Sequence, residues 1–238
     1  MKSIVDIDGI GPVTLRRSRR ARRICIRVEA FAGVVVAVPL GVSYESALNV
    51  VERHRSWVMQ HLKVIREQEC FYVRSANTGR LVTRTHILEA HPTPAMKLDV
   101  RIHDGVISVR FPKTMNLESP QVQHTVRDSV LKVLRSEAKE DLPDRVRGLA
   151  SRHGFSYGRL ALKNLRSRWG SCSPLNNLNL NIQLMRLPDE LVDYVVLHEL
   201  VHTKVKNHSP AFWRLLDNVV GGARALDAKL RKQRVWGG

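Results

Sequence analysis

The chain has 238 residues and an ordinary hydrophobic fraction of 43%, which is enough to bury a core and excludes wholesale disorder. Its 39 lysines and arginines outnumber its 22 acidic residues and give a net charge of +17, which favours polyanionic partners but does not indicate a fold. Three cysteines without a C-x-x-C pair argue against a disulfide framework. Because we find neither a signal peptide nor an apolar run of about 18 residues, we expect a soluble, cytoplasmic protein.

The first elements in chain order are short strands. Alternating apolar and polar residues predict strands at 24–30 and 34–39, joined by a turn at Gly33. Ser43 is suited to cap a helix, in which apolar residues then recur at helical spacing. Residues 68–96 scatter Gly, Pro, Thr and His, so we expect an irregular connection there that contains a strand.

A second hairpin and a long helix follow. Residues 98–112 predict two strands joined by an Asp-Gly turn. An apolar stripe from Val122 predicts a helix, which we expect Pro143 to break or restart. These predictions describe an α+β protein with a β-rich N-terminal region carrying one helix, residues 1–115, and a second domain, residues 116–238.

The last third of the chain predicts strands before helices. A strand is expected at 159–165, followed by a polar loop. Residues 178–184 alternate Leu or Ile with Asn or Gln and predict a second strand, which Pro188 ends. The next helix is expected to open at Pro188 with two acidic residues in its first turn.

Residues 198–202, HELVH, carry the clearest chemical signal. His198 and His202 are four residues apart and therefore project from one face of the predicted helix. In the H-E-x-x-H pattern two imidazoles bind zinc, and a glutamate, here Glu199, handles a proton of the metal-bound water. Because the segment is otherwise apolar, burying these polar groups without a ligand would be costly. The sequence thus predicts zinc as the cofactor.

A catalytic zinc ion needs a third protein ligand, for which His208 is the preferred candidate. It follows His202 by six residues, as in H-E-x-x-H-x-x-G-x-x-H, although Val205 replaces the glycine. We expect the helix to end near Asn207, which tolerates left-handed backbone, and residues 209–210 to start a new helix. That break would return His208 to the other two histidines.

Other residues remain open as ligands. Asp217 is the main alternative to His208, and Asp227 is a weaker one. Cys172 would make a fourth ligand, but a closed site would remove the position at which a catalytic metal binds water or substrate.

Several blocks in order resemble the YgjP-like zinc metallopeptidase-domain family, which is more distantly related to the SprT-like proteases. The resemblance covers most of the chain and is weakest at residues 68–96. The blocks are RRSRRARRICIRVEAFAGVVVAVPLGV (16–42), RSRWGSCS (166–173), LNLNIQLMRLP (178–188), DYVVLHELVH (193–202) and NHSPAFW (207–213).

The resemblance implies an N-terminal β-hairpin/helix region followed by a zincin-like helix–strand catalytic core. It also implies that His198, His202 and His208 bind zinc and that Glu199 is the general base. The family's peptidase label rests mostly on this motif, so a peptide substrate does not follow from membership.

Six polar residues are candidates to contact substrate, namely Arg168, Ser171, Asn179, Asn181, Gln183 and Tyr194. The three strand residues would do so if their face looks toward the metal, and would otherwise face solvent. We expect this strand to lie along the cleft as an edge strand to which a substrate chain adds. The loop residues would stabilise developing negative charge. The tyrosine, one turn before His198, lies near the metal or packs in the core.

Residues 16–23, RRSRRARR, contain six arginines. They form either a flexible basic arm that contacts phosphates or a basic strand that presents arginines outward. Three functions therefore remain open: a zinc metallopeptidase, a zinc hydrolase of nucleotides or other phosphate compounds, and a nucleic-acid-binding protein, such as a DNA-associated protease.

Overall fold

The computed structural model describes residues 2–29, 33–78, 82–165, 167–233 and 235. Within these residues the strands, in chain order, are β1 (Lys2–Ile7), β2 (Gly11–Ser18), β3 (Cys25–Glu29), β4 (Gly33–Pro39), β5 (Ile87–Thr93), β6 (Asp99–His103), β7 (Val106–Pro112), β8 (Leu160–Lys163), β9 (Gly170–Cys172) and β10 (Leu178–Asn181). The helices are α1 (Tyr44–Arg53), α2 (Arg55–Thr78), α3 (Pro120–Arg152), α4 (Asp189–Val201), α5 (Pro210–Val220) and α6 (Ala223–Arg231), with a 3₁₀ helix at Ile182–Arg186.

The first sheet has the strand order β1-β2-β4-β3, in which only the β2–β4 pair is parallel. One face packs against α1 and α2 and buries Leu15 and Val36 together with Val51 and Val58 of the helices. The strands expected at 24–30 and 34–39 are confirmed as β3 and β4, although Ala30 lies outside the described residues. The sequence analysis missed β1 and β2.

The helix expected after Ser43 is present but divided. Ser43 caps α1 by accepting a hydrogen bond from the Ser46 amide at 3.0 Å. His54 interrupts the helix with φ −106° and ψ 18°, and its amide is shared between the carbonyls of Val50 and Val51. Two helices therefore replace the single expected one.

The connection at 68–96 differs from the expected irregular segment. Helix α2 continues to Thr78, residues 79–81 lie outside the described part, and the expected strand is β5. Strand β5 runs parallel to β7 in a sheet of order β5-β7-β6. The predicted hairpin is confirmed: Asp104 and Gly105 have φ of 49° and 74°, the left-handed conformations that a tight β6–β7 turn requires.

Helix α3 is continuous through Pro143, so the expected break there is wrong. A proline removes one hydrogen bond from a helix interior. Leu142 and Val146 are fully buried on either side of it. The apolar face of the helix packs continuously against the core that extends from Val82 to Leu226, and this packing offsets the lost hydrogen bond.

The third sheet has the order β8-β10-β9, and it corrects two predictions. Strand β10 is central and ends at Asn181, so the segment 178–184 is neither a full strand nor an edge. The Asn181 side chain accepts a hydrogen bond from the Gln183 amide and starts the 3₁₀ helix in place of further sheet pairing. The expected polar loop contains strand β9, while Arg166 lies outside the described residues.

Two apolar cores result. The first extends from Ile10 to Leu62, and the second extends from Val82 to Leu226. The α+β class is confirmed, whereas the division at residue 115 stays a prediction. In the part of the chain that the structure describes, every helix is too short or too polar to cross a membrane.

Ion pairs fix the start of helix α4 against α3. Arg145 donates hydrogen bonds to the carboxylates of Asp141 at 2.9 Å, Asp189 at 2.6 Å and Asp193 at 2.7 Å. Arg84, which precedes β5, donates to the same Asp189 oxygen at 2.6 Å. Since Asp189 opens α4, this network helps to set the position of the helix that carries the H-E-x-x-H motif.

Candidate metal centre

The H-E-x-x-H residues lie on helix α4, which packs in the second core. The helix begins directly after Pro188, as predicted, and Leu197, Leu200 and Val201 around the motif are buried. His198 and His202 project from one face, with ring centroids 5.0 Å apart. The apolar packing holds both imidazoles in place without a charged partner on the helix itself.

The turn after α4 differs from the expected one. The helix ends at Val201 rather than near Asn207, and Thr203 closes its end by donating its hydroxyl to the Leu200 carbonyl at 2.7 Å. Asn207 does not adopt left-handed backbone. Its side-chain oxygen instead accepts the Ser209 amide at 3.3 Å, a side-chain turn just before α5.

His208 nevertheless returns to the other two histidines. Its Nε2 lies 3.1 Å from Nε2 of His198, and its ring centroid lies 4.8 Å from that of His202. The potential ligand atoms of the three side chains all lie within 4.8 Å of one another. Ser209 and Pro210 begin α5 as predicted, which keeps the connection short.

The protonation of these histidines suits metal binding. The carbonyl oxygen of Val205 can only accept, so Nδ1 of His202, 3.0 Å away, carries the proton and leaves Nε2 free as a ligand. Burial, with further repulsion from the neighbouring imidazoles, lowers the pKa of His198 to about 4. Burial also lowers the pKa of His202. Both imidazoles are therefore neutral near pH 7, the form in which histidine binds a metal ion.

Phe212 forms a floor under all three imidazoles, a role that the sequence analysis did not assign. Its fully buried ring lies 4.9 Å from the His198 centroid, 4.5 Å from that of His202 and 4.7 Å from that of His208. The sequence feature that could have indicated this role is its location in the first turn of the helix that begins after Ser209, close to His208. A rigid ring at this point restricts the imidazoles to one arrangement.

Glu199 lies beside the cluster and is only 6% exposed. Burial raises the pKa of its carboxyl to about 7, and the positive charge of Arg168 opposes part of that rise. Gly170 of strand β9 packs directly on the carboxylate: a Cβ atom there would lie 2.7 Å from Cγ and Oε1. The sequence analysis did not identify Gly170, because the contact joins residues far apart in the chain.

The alternative ligands are engaged elsewhere. Asp217 accepts the Ala223 amide at 2.8 Å at the start of α6. Asp227 accepts hydrogen bonds from the Tyr194 hydroxyl at 3.3 Å and from Arg231 at 2.8 Å. The group of converging ligand atoms in the described residues contains neither aspartate and does not include Cys172.

Three of the six substrate-contact candidates are buried, which does not fit direct contact with substrate. They are Asn181, Gln183 and Tyr194, each at most 2% exposed. The amide group of Asn181 donates to the carbonyls of Leu165 and Arg168, both at 2.9 Å, and so ties the preceding loop to β10. These side chains support the site from within.

The other three candidates lie nearer the surface. Asn179 donates to the Ser171 hydroxyl at 3.2 Å, which links the β10 and β9 side chains. Arg168 is exposed, and its positive charge acts on the Glu199 carboxyl. Of the six candidates, Ser171 follows Gly170 directly and Arg168 precedes it by two residues, so both lie close to it in sequence.

The donor set fits a zinc ion. Zinc–nitrogen bonds of about 2.0–2.1 Å in a tetrahedral arrangement separate two ligand nitrogens by roughly 3.3 Å. The observed 3.1 Å between Nε2 of His198 and Nε2 of His208 is close to that separation. Three imidazoles, with no fourth protein ligand among the described residues, would leave one coordination position open, which is the pattern of catalytic zinc sites.

No curated protein matches the chain. Among solved structures, the metallopeptidase zymogen abylysin of Pyrococcus abyssi is 22% identical, with a TM-score of 0.36, over 40% of this chain and 97% of that chain. The metallopeptidase zymogen jannalysin of Methanocaldococcus jannaschii is 25% identical, with a TM-score of 0.35, over 39% of this chain and 95% of that chain.

One protein family matches far more of the sequence. It is described as YgjP-like, metallopeptidase domain, and the match extends over residues 22–233. That range includes the second sheet, the third sheet and the three converging histidines. It also includes strands β3 and β4 of the first sheet. The chain therefore belongs to the YgjP-like metallopeptidase-domain family.

Proposed function

We propose that this protein is a zinc-dependent metallopeptidase in which His198, His202 and His208 hold the metal ion and Glu199 is the general base. The observation that carries the proposal is the convergence of three imidazoles, two of them held neutral by burial, beside a buried carboxyl group. Membership of a metallopeptidase-domain family supports the same reaction class. A zinc ion at this position would acidify a water molecule and polarise the scissile carbonyl.

Glu199 has the properties of the base. A carboxyl group with a pKa of about 7 exchanges protons readily near neutral pH. It would accept a proton from the attacking water and pass it to the leaving amine. Arg168, whose charge acts on this carboxyl, would stabilise the carboxylate form before the first of these steps and after the second.

Strand β9 lies at the edge of the third sheet among the described residues, which supports a peptide as the substrate. Trp169 accepts the Asn181 amide, and Ser173 donates to the Asn177 carbonyl, so these residues of the hairpin point toward β10. Antiparallel pairing alternates, and the main-chain groups of Gly170 and Cys172 therefore point away from β10. An extended peptide could pair with this edge directly beside Glu199, whereas a nucleotide has no main chain to match it.

Free thiols support the proposed cytoplasmic location. Cys25 and Cys172 are both unbonded in the described residues. Thiols without a disulfide partner are usual in a reducing compartment.

A substrate panel tests the proposed reaction class. Zinc-loaded protein is incubated with a mixture of unstructured peptides and, separately, with nucleoside triphosphates and a phosphodiester. We expect cleavage of peptides only, and loss of that cleavage after the metal is removed with a chelator. Hydrolysis of the phosphate compounds without peptide cleavage would overturn the proposal and favour a nucleotide hydrolase.

A further inference from the structure

The arginines of residues 16–23 do not all have the same role. Arg17 is structural, because it donates hydrogen bonds to the carbonyls of Pro39 at 2.9 Å and Leu40 at 3.2 Å, and its guanidinium lies 4.5 Å from the centre of the Tyr44 ring. It thereby holds the connection between β4 and α1. Its guanidinium group therefore already has hydrogen-bond partners within the protein.

The remaining five arginines form what we call the arginine surface: Arg16, Arg19, Arg20, Arg22 and Arg23. All five are exposed, and among the side chains that the structure describes none forms an ion pair with a carboxylate. Uncompensated charges of one sign on neighbouring residues repel each other. Such a group is stabilised by a polyanion that brings several negative charges at once.

The sheet holds these arginines at one end. Strands β2 and β3 lie on either side of β4, so the loop of residues 19–24 crosses over the end of β4. The Ala21 amide donates to the Ser18 hydroxyl at 3.2 Å and turns the chain as it leaves β2. Arg16 is adjacent in sequence to the fully buried Leu15 and therefore points to the opposite, outer face of the sheet.

The size of the arginine surface matches a duplex backbone. Two strand spacings, from β2 across β4 to β3, correspond to about 10 Å. Double-stranded DNA carries one negative charge per about 1.7 Å of its axis when both strands are counted, so a stretch of this length carries roughly six phosphate charges around the duplex. Several of the arginines can therefore contact phosphates on the near side of the duplex simultaneously.

We propose that the arginine surface binds the phosphate backbone of double-stranded nucleic acid without sequence preference. Guanidinium groups bind phosphates through two parallel hydrogen bonds, and residues 16–23 contain arginine but no lysine. The same segment has no aromatic side chain on which unpaired bases could stack and only Ala21 as an apolar residue for insertion into a membrane. A duplex fits these properties better than a single strand or a lipid surface, and this binding does not depend on the proposed peptidase activity.

Fluorescence anisotropy of the full chain with a labelled random-sequence DNA duplex, from about 50 to 200 mM salt, tests the proposal. The test variant replaces four residues of the surface by glutamine: Arg19, Arg20, Arg22 and Arg23. If each contacts one phosphate, the slope of log Kobs against log salt should become shallower by about three to four. The melting temperature should stay unchanged, because these side chains are exposed and form no ion pair with the residues that the structure describes.

A matched control distinguishes binding by the arginine surface from a general effect of the protein's net charge. It loses the same number of positive charges from other exposed positions: Lys113, Lys132, Arg135 and Lys139. We expect its salt slope to equal that of the wild type. Equal weakening in both variants, no duplex binding at about 50 mM salt, or binding to anionic vesicles with none to the duplex would each overturn the proposal.

Discussion

Gly170 and Glu199 are in contact across the site, so closely that a Cβ atom on Gly170 would lie 2.7 Å from Oε1 of the carboxylate. Real Cβ atoms do not approach other heavy atoms to that distance, so even a methyl group forces one partner to move. Strand β9 is held by its pairing with β10, and α4 is held by the core. The Glu199 side chain is the part that would shift.

Gly170→Ala should therefore reduce peptide turnover by about 100-fold, since a small displacement of a catalytic group from its working geometry costs that much. Zinc content, measured by atomic absorption, should stay equal to that of the wild type because no histidine is touched. Gly148→Ala is the control, as a Cβ there meets no atom within 4 Å. Unchanged turnover in Gly170→Ala would show that the position of Glu199 does not matter.

Phe212→Ala should weaken zinc binding by about 10- to 100-fold, as expected when the support of metal ligands is removed. The ring contacts all three imidazoles, and its loss leaves them free to reorient. Zinc affinity is measured by competition with a chelator of known affinity. The variant should also lose about 3–5 kcal/mol of stability.

Phe111→Ala controls for that loss of stability. Phe111 is 4% exposed on strand β7 in the same core, away from the histidines. It should destabilise the fold by a comparable amount and keep the wild-type zinc affinity. If both variants lose zinc equally, Phe212 contributes only to general stability.

Glu199 should make the stability of the metal-free protein depend on pH. Its pKa is about 7 in the folded state and 4.5 as the reference value for the unfolded chain. The folded state therefore binds more protons between these values, and its stability falls as pH rises from about 4.5 to about 7. Metal-free Glu199→Gln lacks this titration and should be more stable than wild type at pH 8, by up to about 3 kcal/mol.

Urea denaturation at pH 4.5 and pH 8 measures that difference. The gap in unfolding free energy between Glu199→Gln and wild type should be present at pH 8 and small at pH 4.5. Glu118→Gln, which changes an exposed carboxylate, should show no gap at either pH. A gap that is larger at the lower pH would mean that burial does not raise the pKa of Glu199.

The convergence of the three histidines could be predicted because its determinants are local. The four-residue spacing of His198 and His202 fixes one helix face, and the Ser209-Pro210 pair marks the next helix start without any long-range information. The details of the turn could not be predicted, because short polar side chains such as Thr203 and Asn207 can each bond to several nearby main-chain groups. In the structure, Thr203 bonds to the Leu200 carbonyl and Asn207 bonds to the Ser209 amide.

The surroundings of the cluster could not be predicted because they depend on distant contacts. Strand β9 has no alternating pattern and exists through its pairing with β10. Likewise, the alternation of residues 178–184 continues past Asn181, yet the side chain of Asn181 ends the strand by bonding to Leu165, Arg168 and Gln183. An alternating strand would bury only every second residue, whereas the 3₁₀ helix buries Ile182, Gln183 and Leu184 alike.

The most direct test of the proposed mechanism compares Glu199→Gln with the wild type after both are loaded with zinc. Zinc content and kcat for a cleaved peptide are measured on the same samples. We predict one zinc ion per chain in both proteins and a kcat at least about 100-fold lower in the variant, since general-base catalysis contributes about 10²–10⁴-fold. Equal zinc content with unchanged kcat would contradict the role of Glu199 as the base.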